Sequence, residues 1–186
     1  MPLDDVTDEM RRTSKMINFG LLYGMEAYGL AQRLGIDRGE AQRHIDEYFV
    51  QFPDVRAFMA GIVDDARAVG YTTTILGRRR YLPELHSRSA RERQAGERMA
   101  LNAPIQGSAA DIIKKAMIEL HAGLARRDLG ARMLLQIHDE LVLEVPDGEI
   151  PEVTDLTVTT MQGIVDLNVP LKVSHAVGRT LADVHH

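Results

Sequence analysis

The chain has 186 residues, with 22 Lys+Arg against 27 Asp+Glu for a net charge of −5, and contains neither Cys nor Trp. At 45% hydrophobic and 26% charged it is long and apolar enough for a real core, which excludes disordered, collagenous and low-complexity classes. The absence of cysteine excludes disulfides and thiolate metal sites and suits a reducing compartment.

The start, Met1 to Val6, is acidic and lacks the basic and apolar regions of a secretory signal. No apolar run approaches ~18 residues, so no membrane span is expected. Thr7 is placed as an N-cap, with Asp8 and Glu9 in the first turn of a helix running to about Tyr23 and stopping at Gly24. Helices are expected over 26–36, over 38–50 after Asp37, and over 54–69 ending at Gly70. Tyr71 to Leu76 is rich in β-formers and meets Gly77, and Arg78 to Leu82 leads to Pro83, which reads as a small hairpin. Residues 90–127 read as helix, with a kink or boundary at Pro104 and an apolar stripe of Ile113, Met117, Leu120 and Leu124. Ala131, Met133, Leu135 and Ile137 alternate, as do Leu141, Leu143 and Val145, so two strands joined at His138-Asp139-Glu140 are predicted. A helix over 149–165 and a final strand over Val169–Ala176 complete an α+β chain with no repeat and no clear linker.

Taken alone, a net charge of −5 argues against nucleic acid as a partner. The sum hides an asymmetry. Residues 71–115 carry nine basic groups against four acids, a net of +5, and residues 131–186 carry three against nine, a net of −6. Solvated helix faces would explain such runs, and so would an anion-binding middle.

Three groups of residues could carry chemistry. On a helix, Arg11, Lys15, Phe19 and Tyr23 fall on one line at i, i+4, i+8 and i+12. Two cations followed by two rings match a nucleoside triphosphate, and cations in the first turns strengthen the positive end of the helix dipole. On spacing alone, an amphipathic surface helix with both rings tucked into a core is the slightly preferred account. In the turn His138-Asp139-Glu140, Asp139 continues the parity of Ile137, so a carboxylate stands where an apolar side chain is expected. Such a group needs a partner or a metal. Two adjacent acids can give oxygen ligands to Mg²⁺; a polar turn, or a His-Asp metal phosphohydrolase, are the other readings. Arg98, Asn102 and Gln106, spaced i, i+4, i+8 across Pro104, are side chains suited to gripping nucleic-acid edges, or else a solvated face.

Together these residues resemble the family A DNA polymerases, the bacterial DNA polymerase I type. Arg11-x3-Lys15-x7-Tyr23-Gly24 resembles the fingers motif B, and His138-Asp139-Glu140 between two strands resembles the palm motif C. Between them the stretches Tyr71 to Pro83 and Arg98 to Ile113 match in the same order. The resemblance runs from about Leu3 to the C-terminus. It implies an incomplete right-hand polymerase domain, with mostly helical fingers in 1–70. Residues 71–186 would hold the fingers-to-palm return, a DNA-binding helix, and a partial antiparallel palm sheet with its C-terminal strand.

The resemblance also implies roles. Arg11 and Lys15 would contact the triphosphate of the dNTP, Lys15 also assisting proton transfer to pyrophosphate. Phe19 would lie against sugar and base, a Phe there implying discrimination against dideoxynucleotides, and Tyr23 and Gly24 would border the templating pair. Asp139 would be a catalytic metal ligand, with Glu140 beside it and His138 near the primer end. Arg98, Asn102 and Gln106 would touch the primer–template minor groove, with Arg78 and Arg79 in the DNA-binding region. The implied reaction, in bacterial DNA replication or repair in the cytoplasm at the nucleoid, is attack of the primer 3′-hydroxyl on the α-phosphate, with two Mg²⁺ ions.

The chain departs from the family pattern in two places. No stretch matches motif A, the Asp-Tyr-Ser-Gln-Ile-Glu-Leu-Arg-like strand that carries the other metal-binding aspartate, and no thumb or exonuclease segment is present. The tail from Val177 to His186 lacks the Trp usual after the glycine matched by Gly178. The expectation is a polymerase portion with little activity alone, needing an upstream segment to supply motif A and thumb. A non-catalytic nucleic-acid-binding remnant of the fold is the alternative.

Overall fold

The computed structural model describes residues 5–184; Met1–Asp4, His185 and His186, which belong to the start and tail read above, lie outside the described residues. The elements are α1 (Asp8–Leu22), α2 (Ala27–Leu34), α3 (Arg38–Gln51), α4 (Pro53–Val69), β1 (Tyr71–Thr73), β2 (Arg79–Tyr81), α5 (Ala90–Arg126), β3 (Arg132–Ile137), β4 (Glu140–Glu144) and α6 (Ile150–Gln162). The described residues divide into two compact units, one up to Ser108 and one from Ala109.

In the first unit the helices begin and end where capping chemistry dictates. The Thr7 hydroxyl accepts from the Met10 amide at 3.2 Å, and Gly35 and Gly70 close α2 and α4 in the left-handed conformation. Leu21, Ala27, Leu30, Ala31, Ala41 and Ile45 form the core of α1–α3, flanked by Ile17, Met25 and Tyr48. A second cluster, Ala66, Leu82, Leu85 and Ala100, joins α4 to the start of α5. β1 and β2 pair antiparallel, Tyr71 opposite Tyr81 and Thr73 opposite Arg79. The strand expected to Leu76 stops at Thr73, because the chain turns at Thr74–Arg78 with Gly77 at φ +83°.

The Asp37 cap makes a testable pH dependence. Its Oδ1 accepts from the amides of Gly39 (2.7 Å) and Glu40 (3.0 Å). These bonds, Glu40's first, hold its carboxyl below the ordinary 3.8. A depressed folded pKa means that the cap's contribution is present above the unfolded value and disappears as pH falls through the folded one. Acid titration followed by circular dichroism should therefore lose helix more steeply for the wild type than for Asp37→Asn, which keeps an acceptor oxygen without a titrating group. Equal slopes would contradict this account.

α5 runs unbroken through Pro104. Of the kink or boundary expected at Pro104, the boundary does not form. Proline there removes one backbone donor, and the Ser108 hydroxyl hydrogen-bonds the Pro104 carbonyl within the same turn. In the second unit, the predicted stripe is buried at Ile113, Leu120 and Leu124. Leu120 and Leu124 pack with Ala131, Val153 and Leu156, and Leu141 and Leu143 lie against them. Glu149 accepts from the amides of Gly130 and Ala131 at 3.0 and 3.2 Å, anchoring the start of β3.

β3 and β4 form a two-stranded antiparallel ladder with an irregularity between Met133 and Leu135. This bulge overturns the simple alternation. Leu135 pairs with Val142 and is 51% exposed, where the parity pattern put it inside. The C-terminal strand expected over Val169–Ala176 is also corrected: these residues form no strand. β-forming composition does not make a strand by itself, since a strand needs a partner to take its backbone hydrogen bonds. None pairs with this segment among the described residues.

Candidate nucleotide and nucleic-acid site

The first unit holds an open cleft of about 570 Å³, within the range of small-molecule sites. One wall is α1. Lys15, Phe19 and Tyr23 line it, as the one-line spacing predicts, and Phe19 is 47% exposed, so the ring is not a core side chain. The Phe19 and Tyr23 ring centroids stand 6.2 Å apart and tilted, leaving two aromatic surfaces side by side. The cation near the start of α1 that reaches the cleft is Arg12; Arg11 is exposed but does not line it.

Gly24 ends α1 at φ +76°, with its amide on the Leu21 carbonyl at 2.9 Å. A Cβ there would meet Leu101 Cδ1 at 3.2 Å and Arg98 Cγ at 3.5 Å. Only glycine satisfies both the left-handed backbone and this approach of α5. That approach is what brings Arg98 into the cleft. Arg33 from α2 lines it as well. Sequence reading missed Arg12, Arg33 and Met25 as lining residues. The signal available for Arg12 was only its place beside Arg11, and nothing local marked Arg33.

Asn102 and Gln106 follow Arg98 along α5. Asn102 Oδ1 is buried and has no hydrogen-bond partner among the described residues, while Gln106 is exposed at a cavity of about 70 Å³ shared with Thr72, Thr74, Arg78 and Arg80. Arg78 donates from Nη2 to the Gly107 carbonyl at 3.1 Å and from its amide to Thr74 Oγ1 at 3.1 Å. Arg79 lies over the Tyr71 ring at 4.6 Å. Its hydrogen bond with Tyr81, first, and the nearby Tyr71 push its pKa further up, so it stays a fixed cation at the hairpin.

In the second unit, His138 and Asp139 form the two-residue loop between β3 and β4. His138 has φ +56°, a left-handed conformation that His tolerates better than most residues. The carboxylate of Asp139 is exposed at the hairpin tip, so the buried position that parity assigned to it is corrected by the bulge and the tight loop. Glu140 closes the ladder opposite Ile137. Among the described residues no group of three or more His, Cys, Asp or Glu comes together to hold a metal. Two adjacent carboxylates at an open tip do fit Mg²⁺, which takes one or two protein carboxylates and completes its shell with water and phosphate oxygens.

The first unit thus carries a cationic, ring-lined cleft, and the second an acidic hairpin tip. The chain belongs to DNA polymerase family A, whose model matches residues 1–183. It is 53% identical over 180 residues to DNA polymerase I of Bacillus caldotenax, covering 97% of this chain and 20% of that protein. It is 46% identical over 185 residues to DNA polymerase I of Pseudomonas aeruginosa, covering 100% and 20%. The fold matches the POL domain of Pol1 from M. smegmatis in complex with DNA primer-template and dNTP, with TM-score 0.90 and 52% identity, over 94% of this chain and 31% of that one. The chain thus spans about a fifth of the length of the curated relatives it matches. The α+β class is that of a polymerase-domain portion.

Proposed function

We propose that this chain is the fingers and C-terminal palm portion of a DNA-directed DNA polymerase, with 1–70 as fingers helices and 71–186 as the return, the DNA-binding helix and the palm hairpin. The observation that carries the reading is the α1 face, where Lys15, Phe19 and Tyr23 line one cleft with Gly24 and Arg98.

In this reading Lys15, with Arg11 at the start of the same helix, binds the triphosphate of the dNTP. The Phe19 and Tyr23 rings seat sugar and base, and Gly24 leaves room at the templating pair. The Lys15 ammonium would give a proton to the departing pyrophosphate. Arg98, Asn102 and Gln106 meet the minor groove of primer–template DNA, Arg78 and Arg79 extend the DNA contact, and His138 stands near the primer end. Asp139, supported by Glu140, would hold Mg²⁺. When bound, that ion supplies charge neutralisation at the reacting phosphate and its leaving oxygens. A further carboxylate, from a motif A segment outside these residues, would complete the ligand set. No described helix is long and apolar enough to cross a membrane, and we place the protein with DNA in the bacterial cytoplasm.

Two measurements test the proposal. The chain should bind primer–template DNA with affinity that falls steeply as salt rises, since Arg and Lys contacts release counterions. A chain with no affinity for DNA or dNTP at low salt overturns the reading. Primer extension with Mg²⁺ should be weak for the chain alone and appear when a family A segment carrying motif A and thumb is added. Robust templated extension by the chain alone would refute the need for that segment.

A further inference from the structure

The roles above leave two cations of the cleft without a task, Arg12 on α1 and Arg33, the only one of the two that comes from another helix. Arg33 is four residues beyond Gly29 on α2, one helical turn along the same face. That face is applied to Met25: a Cβ on Gly29 would meet Met25 Cγ at 3.1 Å, and one on Gly20 would meet Met25 Cε at 2.6 Å. Two glycines therefore let α1 and α2 close on the Met25 side chain, and the same face of α2 carries Arg33 to the cleft wall.

The result is four exposed cations from three helices: Arg12 and Lys15 of α1, Arg33 of α2 and Arg98 of α5. Among the described residues no carboxylate lines the cleft and Arg33 forms no ion pair. Like charges gathered at one opening repel one another until a polyanion offsets them. One nucleotide is met by the cations of α1. Cations on two further helices fit a ligand that carries phosphates along its length.

We propose that Arg33 is a phosphate ligand for the nucleic-acid strand that runs through this cleft, its guanidinium fork gripping a backbone phosphate in two hydrogen bonds. This rests on the polymerase reading of the same site. The test uses the 186-residue chain, labelled primer–template DNA titrated at several salt concentrations, and inorganic tripolyphosphate as the nucleotide-phosphate probe. Arg33→Gln should reduce the magnitude of the DNA salt slope by about 0.7 to 0.9, the share of one phosphate contact, and weaken DNA binding on the order of tenfold at low salt. Tripolyphosphate affinity should not change. Arg43→Gln, which removes an exposed cation of α3 outside the cleft, should leave both ligands unaffected. An unchanged DNA slope in a folded Arg33→Gln variant overturns the assignment, as does a loss confined to tripolyphosphate, which would give Arg33 to the nucleotide. A wild-type chain that binds neither ligand refutes the polymerase reading instead.

Discussion

Asp139→Ala is expected to abolish templated extension in the complemented assay, lowering kcat by at least about 10³-fold, because a bound metal supplies several kcal/mol of transition-state charge stabilisation. Asp139 is exposed at the tip of the β3–β4 loop and contributes nothing to the packed cluster of Leu120, Leu124, Val153 and Leu156. The variant should therefore keep wild-type circular dichroism, melting temperature and DNA affinity. That combination separates loss of chemistry from loss of fold. Glu140→Gln should cost less, since Glu140 acts beside the ligand. If Asp139→Ala retains extension within a few-fold of wild type, Asp139 is not the metal ligand.

Lys15→Ala is expected to act on the nucleotide. A charge-assisted hydrogen bond is worth about 1.5–3 kcal/mol, so KM for dNTP should rise roughly 10- to 150-fold in the complemented enzyme, with primer–template affinity little changed. If Lys15 also donates a proton to the leaving pyrophosphate, kcat falls as well. Lys15→Arg then recovers much of KM and little of kcat, because a guanidinium keeps its charge but does not release its proton. Steady-state kinetics with dNTP varied at saturating DNA reads both. A Lys15→Ala enzyme with unchanged KM and kcat would remove Lys15 from the site. Lys15 is exposed and lines the cleft, so the side chain can be removed without unfolding α1.

Local chemistry made much of this legible beforehand. Thr7 and Asp37 start helices because their side chains bond orphan amides one turn on, and Gly24 and Gly70 end them because both take positive φ. The alignment of Lys15, Phe19 and Tyr23 follows from helix geometry alone. The motif order pointed to the family, which the match over residues 1–183 bears out.

What one residue's neighbourhood could not reveal was anything decided between elements. The β-forming stretch 169–176 stays without a strand because no partner pairs with it. The bulge after Met133 exposes Leu135 because register is a property of two strands. Residue order alone accounts for the helix starts and stops, the turns, and the line of Lys15, Phe19 and Tyr23 along α1. Which cations share a cleft follows from packing between helices: Arg12 in place of Arg11, Arg33 across Met25, and Arg98 against Gly24. The physical reason is that a cleft is assembled by packing between helices far apart in the chain, and packing depends on which glycines leave room for a neighbour.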